Sequence, residues 1–142
     1  MNKIEVIKSE RDGLTVRDMI AHYAEAGWEA IPEDDIQRLK WYGLFLRNPT
    51  PGHFMLRVRL PGGQTTSAQL DTLADIALQY GNGVVDVTTR QQVQLRHLTI
   101  AHVPSVFSKL EEAGLTSLQT GMDTVRNIMT CPVAGLNPNE LL

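Results

Sequence analysis

The sequence of 142 residues has a single cysteine, no long hydrophobic run and no excess of positive charge. One cysteine, Cys131, excludes an internal disulfide framework, and it excludes an iron–sulfur cluster held by four thiolates of this chain. It also fits a reducing compartment. No apolar run is long enough to cross a bilayer, and the charged residues 1–10 contain no signal-peptide core. We therefore expect a cytoplasmic protein with no membrane partner.

The net charge of −3 gives no support for a nucleic-acid partner. The hydrophobic content of 42% is ordinary for a folded protein, and the length suits one domain with a modest core. The histidines have none of the spacing that metal ligands show, so no metal site is predicted. They are His22, His53, His97 and His102.

Residues 52–120 have the most regular pattern. Phe54 begins an alternation of apolar and polar residues that is typical of a half-buried strand. Thr66 and Gln69 form a capping-box signature, which predicts a helix that ends near Gly81. The full set of predicted elements is a strand at 53–60, that helix, strands at 84–88 and 92–98, a helix from Pro104 to Gly114, and a closing strand at 115–118. This order predicts an α+β fold, a ferredoxin-like βαββαβ half-domain.

Two less regular segments flank this half-domain. Residues 1–51 resemble an extended, partly helical N-terminal arm, with apolar residues at helical spacing before Gly27, a second helix after Pro32 and a short strand at 41–46. Residues 121–142 are rich in loop formers, and the chain ends on Leu141 and Leu142. An apolar end on an irregular segment predicts a truncated chain, although a frayed terminus is the alternative.

Arginines recur on the polar faces of the predicted strands and on the loop after them. Arg57 and Arg96 lie on two strands of one predicted sheet, Arg90 lies in a turn, and Arg126 follows a glycine. These side chains could simply face solvent. Alternatively they form a cationic surface that binds an anion, because guanidinium groups match carboxylates two hydrogen bonds at a time.

Three motifs make the sequence similar to the nitrite and sulfite reductase family. The first is the strand Phe-Met-Leu-Arg-Val-Arg-Leu-Pro-Gly-Gly at 54–63, and the second is Thr-Thr-Arg-Gln at 88–91. The third is Thr-Ser-Leu-Gln-Thr-Gly-Met-Asp at 116–123, which Val125, Arg126 and Asn127 follow. The resemblance covers about residues 39–142. Sulfite reductases often have histidine where this chain has Arg96, so the resemblance favours the ferredoxin-dependent nitrite reductases.

The resemblance implies a cofactor, siroheme, whose ring carries carboxylates. It implies that Arg57 and Arg126 reach the face of siroheme where nitrite or sulfite binds, and so act on the substrate while contacting the cofactor. It implies that Arg90, Gln94 and Arg96 hold siroheme carboxylates. Asn127 is expected to act in a local turn.

The resemblance also implies parts that this sequence does not contain. They are four cysteines for a [4Fe–4S] cluster and a second ferredoxin-like half, so Cys131 is expected to be a structural thiol. The chain is therefore expected to be the N-terminal part of a nitrite reductase that takes electrons from ferredoxin, and to be inactive without the C-terminal half. Two alternatives stay open: a sulfite reductase, or a non-catalytic half-domain that dimerises through an open sheet edge or binds another acidic cofactor.

Overall fold

A computed structural model describes residues 2–122, 124–136 and 138–140. Asp123 of the third motif and the apolar end at Leu141 and Leu142 lie outside these residues. The described part has five α-helices: α1 Lys3–Glu10, α2 Ile20–Ala26, α3 Glu33–Arg38, α4 Ser67–Tyr80 and α5 Val103–Glu112. It has four strands: β1 Leu44–Leu46, β2 His53–Val58, β3 Val85–Val87 and β4 Val93–Thr99. The strands form one sheet in the order β1-β2-β4-β3.

The predicted ferredoxin-like arrangement is confirmed. Strand β4 lies between β2 and β3 and is antiparallel to both, so β2 and β3 run in the same direction with α4 connecting them. The capping box is present: the Thr66 side chain accepts from the Gln69 backbone N–H at 3.2 Å, and the Gln69 side chain accepts from the Thr66 N–H at 3.1 Å. Helices α4 and α5 pack against each other, and the buried residues of β2 and β4 belong to the same core.

The closing strand expected at 115–118 is wrong. Among the described residues this segment makes only an isolated antiparallel bridge, between Arg59 and Thr116. Strand β1 takes the place beside β2 instead. The chain leaves the sheet because Gln119 adopts a left-handed conformation with φ of 54° and donates its backbone N–H to the Trp41 carbonyl. Trp41 itself belongs to a 3₁₀ turn over Leu39–Tyr42, so the predicted strand at 41–46 begins later, at Leu44.

The N-terminal arm is not extended, because it packs onto the half-domain. Val16, Ile20 and Leu39 are buried in the same hydrophobic core as Leu56 of β2 and Val106 of α5. The apolar spacing before Gly27 is explained by a 3₁₀ segment at Gly13–Met19 that continues into α2. The domain boundaries at 51 and 120 stay a prediction.

A buried ionic network holds the arm together. Asp35 is 4% exposed and accepts from the Tyr23 hydroxyl at 2.5 Å, from Arg38 at 2.8 Å, and from Arg11. Burial favours a raised pKa of Asp35, but the hydrogen bonds from Tyr23, Arg38 and Arg11 outweigh it and lower the pKa. Burial and the bond to Asp35 raise the pKa of Tyr23 to about 12. Arg38 also donates to the Ile7 carbonyl at 3.0 Å, so α1 joins this network.

No helix within the described ranges is long and apolar enough to cross a membrane.

Candidate functional site

A polar cavity of about 260 Å³ lies beside the sheet, next to strands β2 and β4. The residues that line it come from both strands, from the turn between β3 and β4, and from the loop after residue 120. They are Arg57, Thr88, Thr89, Arg90, Gln92, Gln94 and Arg126. Four of the five predicted site residues therefore meet at one cavity, although they are far apart in the sequence.

Strand pairing fixes the positions of Arg57 and Gln94. Arg57 of β2 is directly opposite Gln94 of β4, and both alternate with buried core residues, so their side chains leave the sheet on its polar face. The Arg57 guanidinium donates to the Thr120 carbonyl at 3.0 Å. It also lies 5.0 Å from the centre of the Phe45 ring. These contacts hold Arg57 in one place before any ligand arrives.

Arg90 is held by a tight turn between β3 and β4. The Thr88 N–H donates to the Gln92 carbonyl at 2.8 Å, and the Gln91 N–H donates to the Thr88 carbonyl at 3.0 Å. Gln91 has a φ of 55°, a left-handed conformation that is uncommon for a residue with a side chain. Such backbone conformations concentrate at functional sites.

A compact loop brings Arg126 to the cavity. The loop packs so closely that a Cβ atom at Gly121 would collide with the Lys40 carbonyl and the Phe45 ring, so only glycine fits there. Arg59 donates to the carbonyls of Gln119 at 2.8 Å and Val125 at 3.0 Å. Arg59 is therefore a structural residue of this loop, although it alternates with the core in the same way as Arg57.

Positive charge accumulates at the cavity, and no carboxylate is among the described residues that line it. In the described part of the chain, Arg57, Arg90 and Arg126 make no ion pair. Burial lowers the pKa of Arg57, and the charges of Arg126 and Arg90 lower it further. An anion in the cavity would relieve this repulsion, which favours the anion-binding interpretation over a solvated strand face.

Arg96 is the predicted site residue that the structure does not bring to the cavity. It lies at a β-bulge, because Arg96 and His97 together face the single residue Met55 of β2. Its guanidinium pairs with Asp86 of β3 and reaches the Gln94 side chain at 3.5 Å. The predicted role of Arg96 toward a cofactor stays a prediction.

Two amides, one lining the cavity and one directly after Arg126, have roles that the sequence did not reveal. Asn127 donates to the carbonyls of Leu60 at 2.9 Å, Arg90 at 2.8 Å and Gln91 at 3.2 Å, so the expectation of a local turn role is wrong. Gln92 is 1% exposed, and its side chain donates to the Arg126 carbonyl at 2.6 Å. The sequence offers a weak signal for each: Asn127 directly follows Arg126, and Gln92 directly follows the Thr-Thr-Arg-Gln motif at 88–91.

A second, more apolar cavity of about 370 Å³ adjoins the first and shares Thr88 and Gln92 with it. Leu60, Leu70, Val87 and Val93 contribute to its wall, and Cys131 lies at its exposed side. The described residues hold no group of three or more histidine, cysteine or acidic side chains that could bind a metal ion. Together the two cavities suit a ligand with an apolar body and several carboxylates.

Comparisons with known proteins identify relatives of this chain. Residues 47–113 match the family described as the nitrite/sulfite reductase ferredoxin-like half domain. The chain is 51% identical to the ferredoxin–nitrite reductase of Synechococcus elongatus, over 99% of this chain and 28% of the relative. It is 43% identical to the chloroplastic ferredoxin–nitrite reductase of Spinacia oleracea, over 100% of this chain and 26% of the relative.

A solved structure of the Mycobacterium tuberculosis NirA protein has the same fold. Its TM-score is 0.91 at 29% identity, and the match covers 99% of this chain and 29% of that chain. The chain thus spans less than a third of the length of the relatives that it matches.

Proposed function

Because residues 47–113 belong to the nitrite/sulfite reductase ferredoxin-like half-domain family, we propose that this chain forms the N-terminal part of a ferredoxin-dependent nitrite reductase. In that enzyme it would help to reduce nitrite to ammonia. The observation that supports this most strongly is the meeting of Arg57, Arg90 and Arg126 at one cavity where the described residues provide no carboxylate to pair with them. A substrate anion and an acidic cofactor both need such a site.

The family implies siroheme and an iron–sulfur cluster in the whole enzyme, and the cavity residues fit an acidic cofactor. When bound, siroheme supplies an iron atom that binds the substrate and receives electrons. Arg90 and Gln94 would hold its carboxylates by charge-assisted and neutral hydrogen bonds. Val87 and the other apolar residues of the second cavity would cover part of the ring. The thiolates that a [4Fe–4S] cluster needs would come from other parts of the enzyme, since Cys131 is the one cysteine of this chain.

Arg57 and Arg126 would act on the substrate. Their guanidinium groups stay charged at any working pH, so they attract nitrite and stabilise the negative charge that develops as its N–O bonds break. The hydrogen bond to the Thr120 carbonyl and the contact with the Phe45 ring orient the Arg57 guanidinium in advance, which limits the reorganisation needed during the reaction.

Nitrite is proposed over sulfite because Arg96 stands where sulfite reductases often have histidine. The relatives from Synechococcus elongatus and Spinacia oleracea are named for ferredoxin and nitrite, which supports ferredoxin as the electron donor. We further propose a cytoplasmic location, although the plant relative is named as chloroplastic.

A chimeric enzyme tests the proposal. This chain would replace the corresponding 28% of the Synechococcus elongatus relative, with which it shares 51% identity. We expect the purified chimera to contain siroheme, seen by its absorption, and to reduce nitrite with reduced ferredoxin faster than it reduces sulfite. The unchanged relative is the positive control.

The matched negative control is the same chimera with Arg57, Arg90 and Arg126 all changed to methionine. A folded chimera that binds no siroheme, or that works equally well without the three arginines, would refute the proposal. A chimera that prefers sulfite would instead support the sulfite reductase alternative.

A further inference from the structure

The side chain of Gln92 connects the two loops that bring Arg90 and Arg126 to the cavity. Its backbone closes the turn around Arg90, since its carbonyl accepts from the Thr88 N–H and its N–H donates to the Thr88 hydroxyl at 3.1 Å. Its side-chain N–H donates to the Arg126 carbonyl at 2.6 Å. One residue therefore fixes the distance between two segments that lie 34 positions apart in the sequence.

Neutral amides are well suited to hold this particular site. Three like charges repel one another across the cavity: burial lowers the pKa of Arg57, and the charges of Arg126 and Arg90 lower it further. A carboxylate would hold the loops by pairing with the arginines, but it would also occupy the groups that must bind the ligand. An amide that donates to a backbone carbonyl adds no charge and leaves the guanidinium groups available.

The unused atom of Gln92 argues against a purely structural role. The residue is 1% exposed, and its Oε1 atom has no hydrogen-bond partner within the described part of the chain. A buried acceptor without a partner is unfavourable, so an apolar residue of the same shape would suit a simple core position better. The amide is useful at this position because of the one bond that it makes, to the loop of Arg126.

We propose that Gln92 is a positioning residue that sets the location of the Arg126 guanidinium relative to Arg57 and Arg90. The proposal rests on the proposed function for the identity of the acidic ligand, but the placement of Arg126 by Gln92 is a property of the ligand-free chain. Asparagine is one methylene too short to make the same bond, and methionine has the length and shape of glutamine without its donor.

The test uses the 142-residue chain with ¹⁵N-labelled arginine, observed through its Nε–Hε signals. The variants are Gln92→Met, Gln92→Asn and, as a matched control, Gln79→Met on an exposed face of α4. Citrate serves as the polycarboxylate probe, and thermal unfolding reports stability. In Gln92→Met we expect the Arg126 signal to shift or broaden and citrate to bind about three- to tenfold more weakly, the size of one hydrogen bond. The Gln79→Met control should match the unchanged chain in both measurements.

Stability separates positioning from a merely structural role. Because Gln92→Met also removes the unpaired Oε1 atom, its unfolding temperature should change little while the Arg126 signal moves. If Gln92→Met does not fold, Gln92→Asn keeps an amide at the position and should show the same two effects.

An Arg126 signal and a citrate affinity that both match the unchanged chain would overturn the proposal. A large loss of stability with an unmoved Arg126 signal would overturn it too. If the unchanged chain binds no citrate, the anion-binding part of the proposed function loses its support. A shifted Arg126 signal in the ligand-free Gln92 variants would still support the positioning role.

Discussion

Arginine substitutions in the chimeric enzyme should separate substrate binding from cofactor binding. In Arg57→Ala we expect siroheme to remain bound, because Arg90 and Gln94 are still present, while turnover of nitrite falls. Arg57 is half-buried and fixed by the Thr120 carbonyl at 3.0 Å and by Phe45, so it resembles other charge-stabilising donors that are oriented in advance. Loss of one such donor lowers turnover by about 100- to 1,000-fold. Arg126 still faces the cavity, so we expect the lower end, about 100-fold.

The same assay distinguishes the two roles when siroheme content and nitrite turnover are measured on each purified variant. Arg57→Lys should recover only part of the turnover, since lysine keeps the charge and loses the planar fork. Arg126→Ala should resemble Arg57→Ala. Arg90→Ala should lower siroheme content, with turnover per bound siroheme closer to normal. Arg96→Ala should lower siroheme content less than Arg90→Ala, because Asp86 already pairs with Arg96.

Two results would refute this reasoning. If Arg57→Ala loses the cofactor while Arg90→Ala keeps it and loses turnover, the two roles are exchanged. If none of these variants changes either quantity, the arginines are a solvated face of the sheet. Arg47→Ala is a suitable control, because Arg47 lies outside the cavity and follows β1.

Three further predictions concern the 142-residue chain. Asp35→Asn should lower the free energy of unfolding by about 3 kcal/mol in chemical denaturation, since it leaves the buried Arg38 only a longer ion pair, with the exposed Glu10 at 3.8 Å. Glu33→Gln, in the exposed pair with Lys3, should have no measurable effect. Because the pKa of Asp35 is lowered in the folded state, the contribution of Asp35 to stability should be complete above about pH 4 and lost as the pH falls further. Because the pKa of Tyr23 is raised to about 12, the contribution of Tyr23 should be lost as the pH rises from about 10 toward 12. A Tyr23→Phe variant that keeps the same alkaline stability profile would contradict this. Finally, the chain alone should be colourless and should not reduce nitrite or sulfite with reduced electron carriers, because a [4Fe–4S] cluster needs more thiolates than Cys131 provides. Detectable turnover by the isolated chain would contradict the proposed dependence on a C-terminal half.

Local sequence patterns were sufficient to predict the half-domain. The alternation after Phe54 and the capping box at Thr66 predict elements whose cause is local, namely the burial of one strand face and the satisfaction of free helix N–H groups. The order of these elements along the chain then leaves few possible sheet topologies. The same patterns identified Arg57 as a residue of the polar face.

The closing strand and the N-terminal arm could not be predicted in this way, because their structure depends on contacts between distant residues. Residues 115–118 have a strand-like composition, but the position beside β2 is filled by Leu44–Leu46, and the bond from Gln119 to Trp41 turns the chain away. Val16 and Ile20 of the arm are buried because they pack against the hydrophobic core of the half-domain. Secondary-structure patterns contain no information about which of two segments pairs with a given strand of the sheet.

The sequence by itself determined the types of the site residues, and the tertiary structure decided which of them act together. Arg57 of β2 and Arg59, just after the strand, both alternate with buried residues. Arg57 nevertheless faces the cavity, while Arg59 holds the loop at Gln119 and Val125. Arg96 is similar in pattern to both, but a bulge and the Asp86 carboxylate take it out of the cavity. The physical reason is that a guanidinium is used by whichever acceptor lies within its reach, and only the folded chain places carbonyls and carboxylates beside some arginines and leaves others for a ligand.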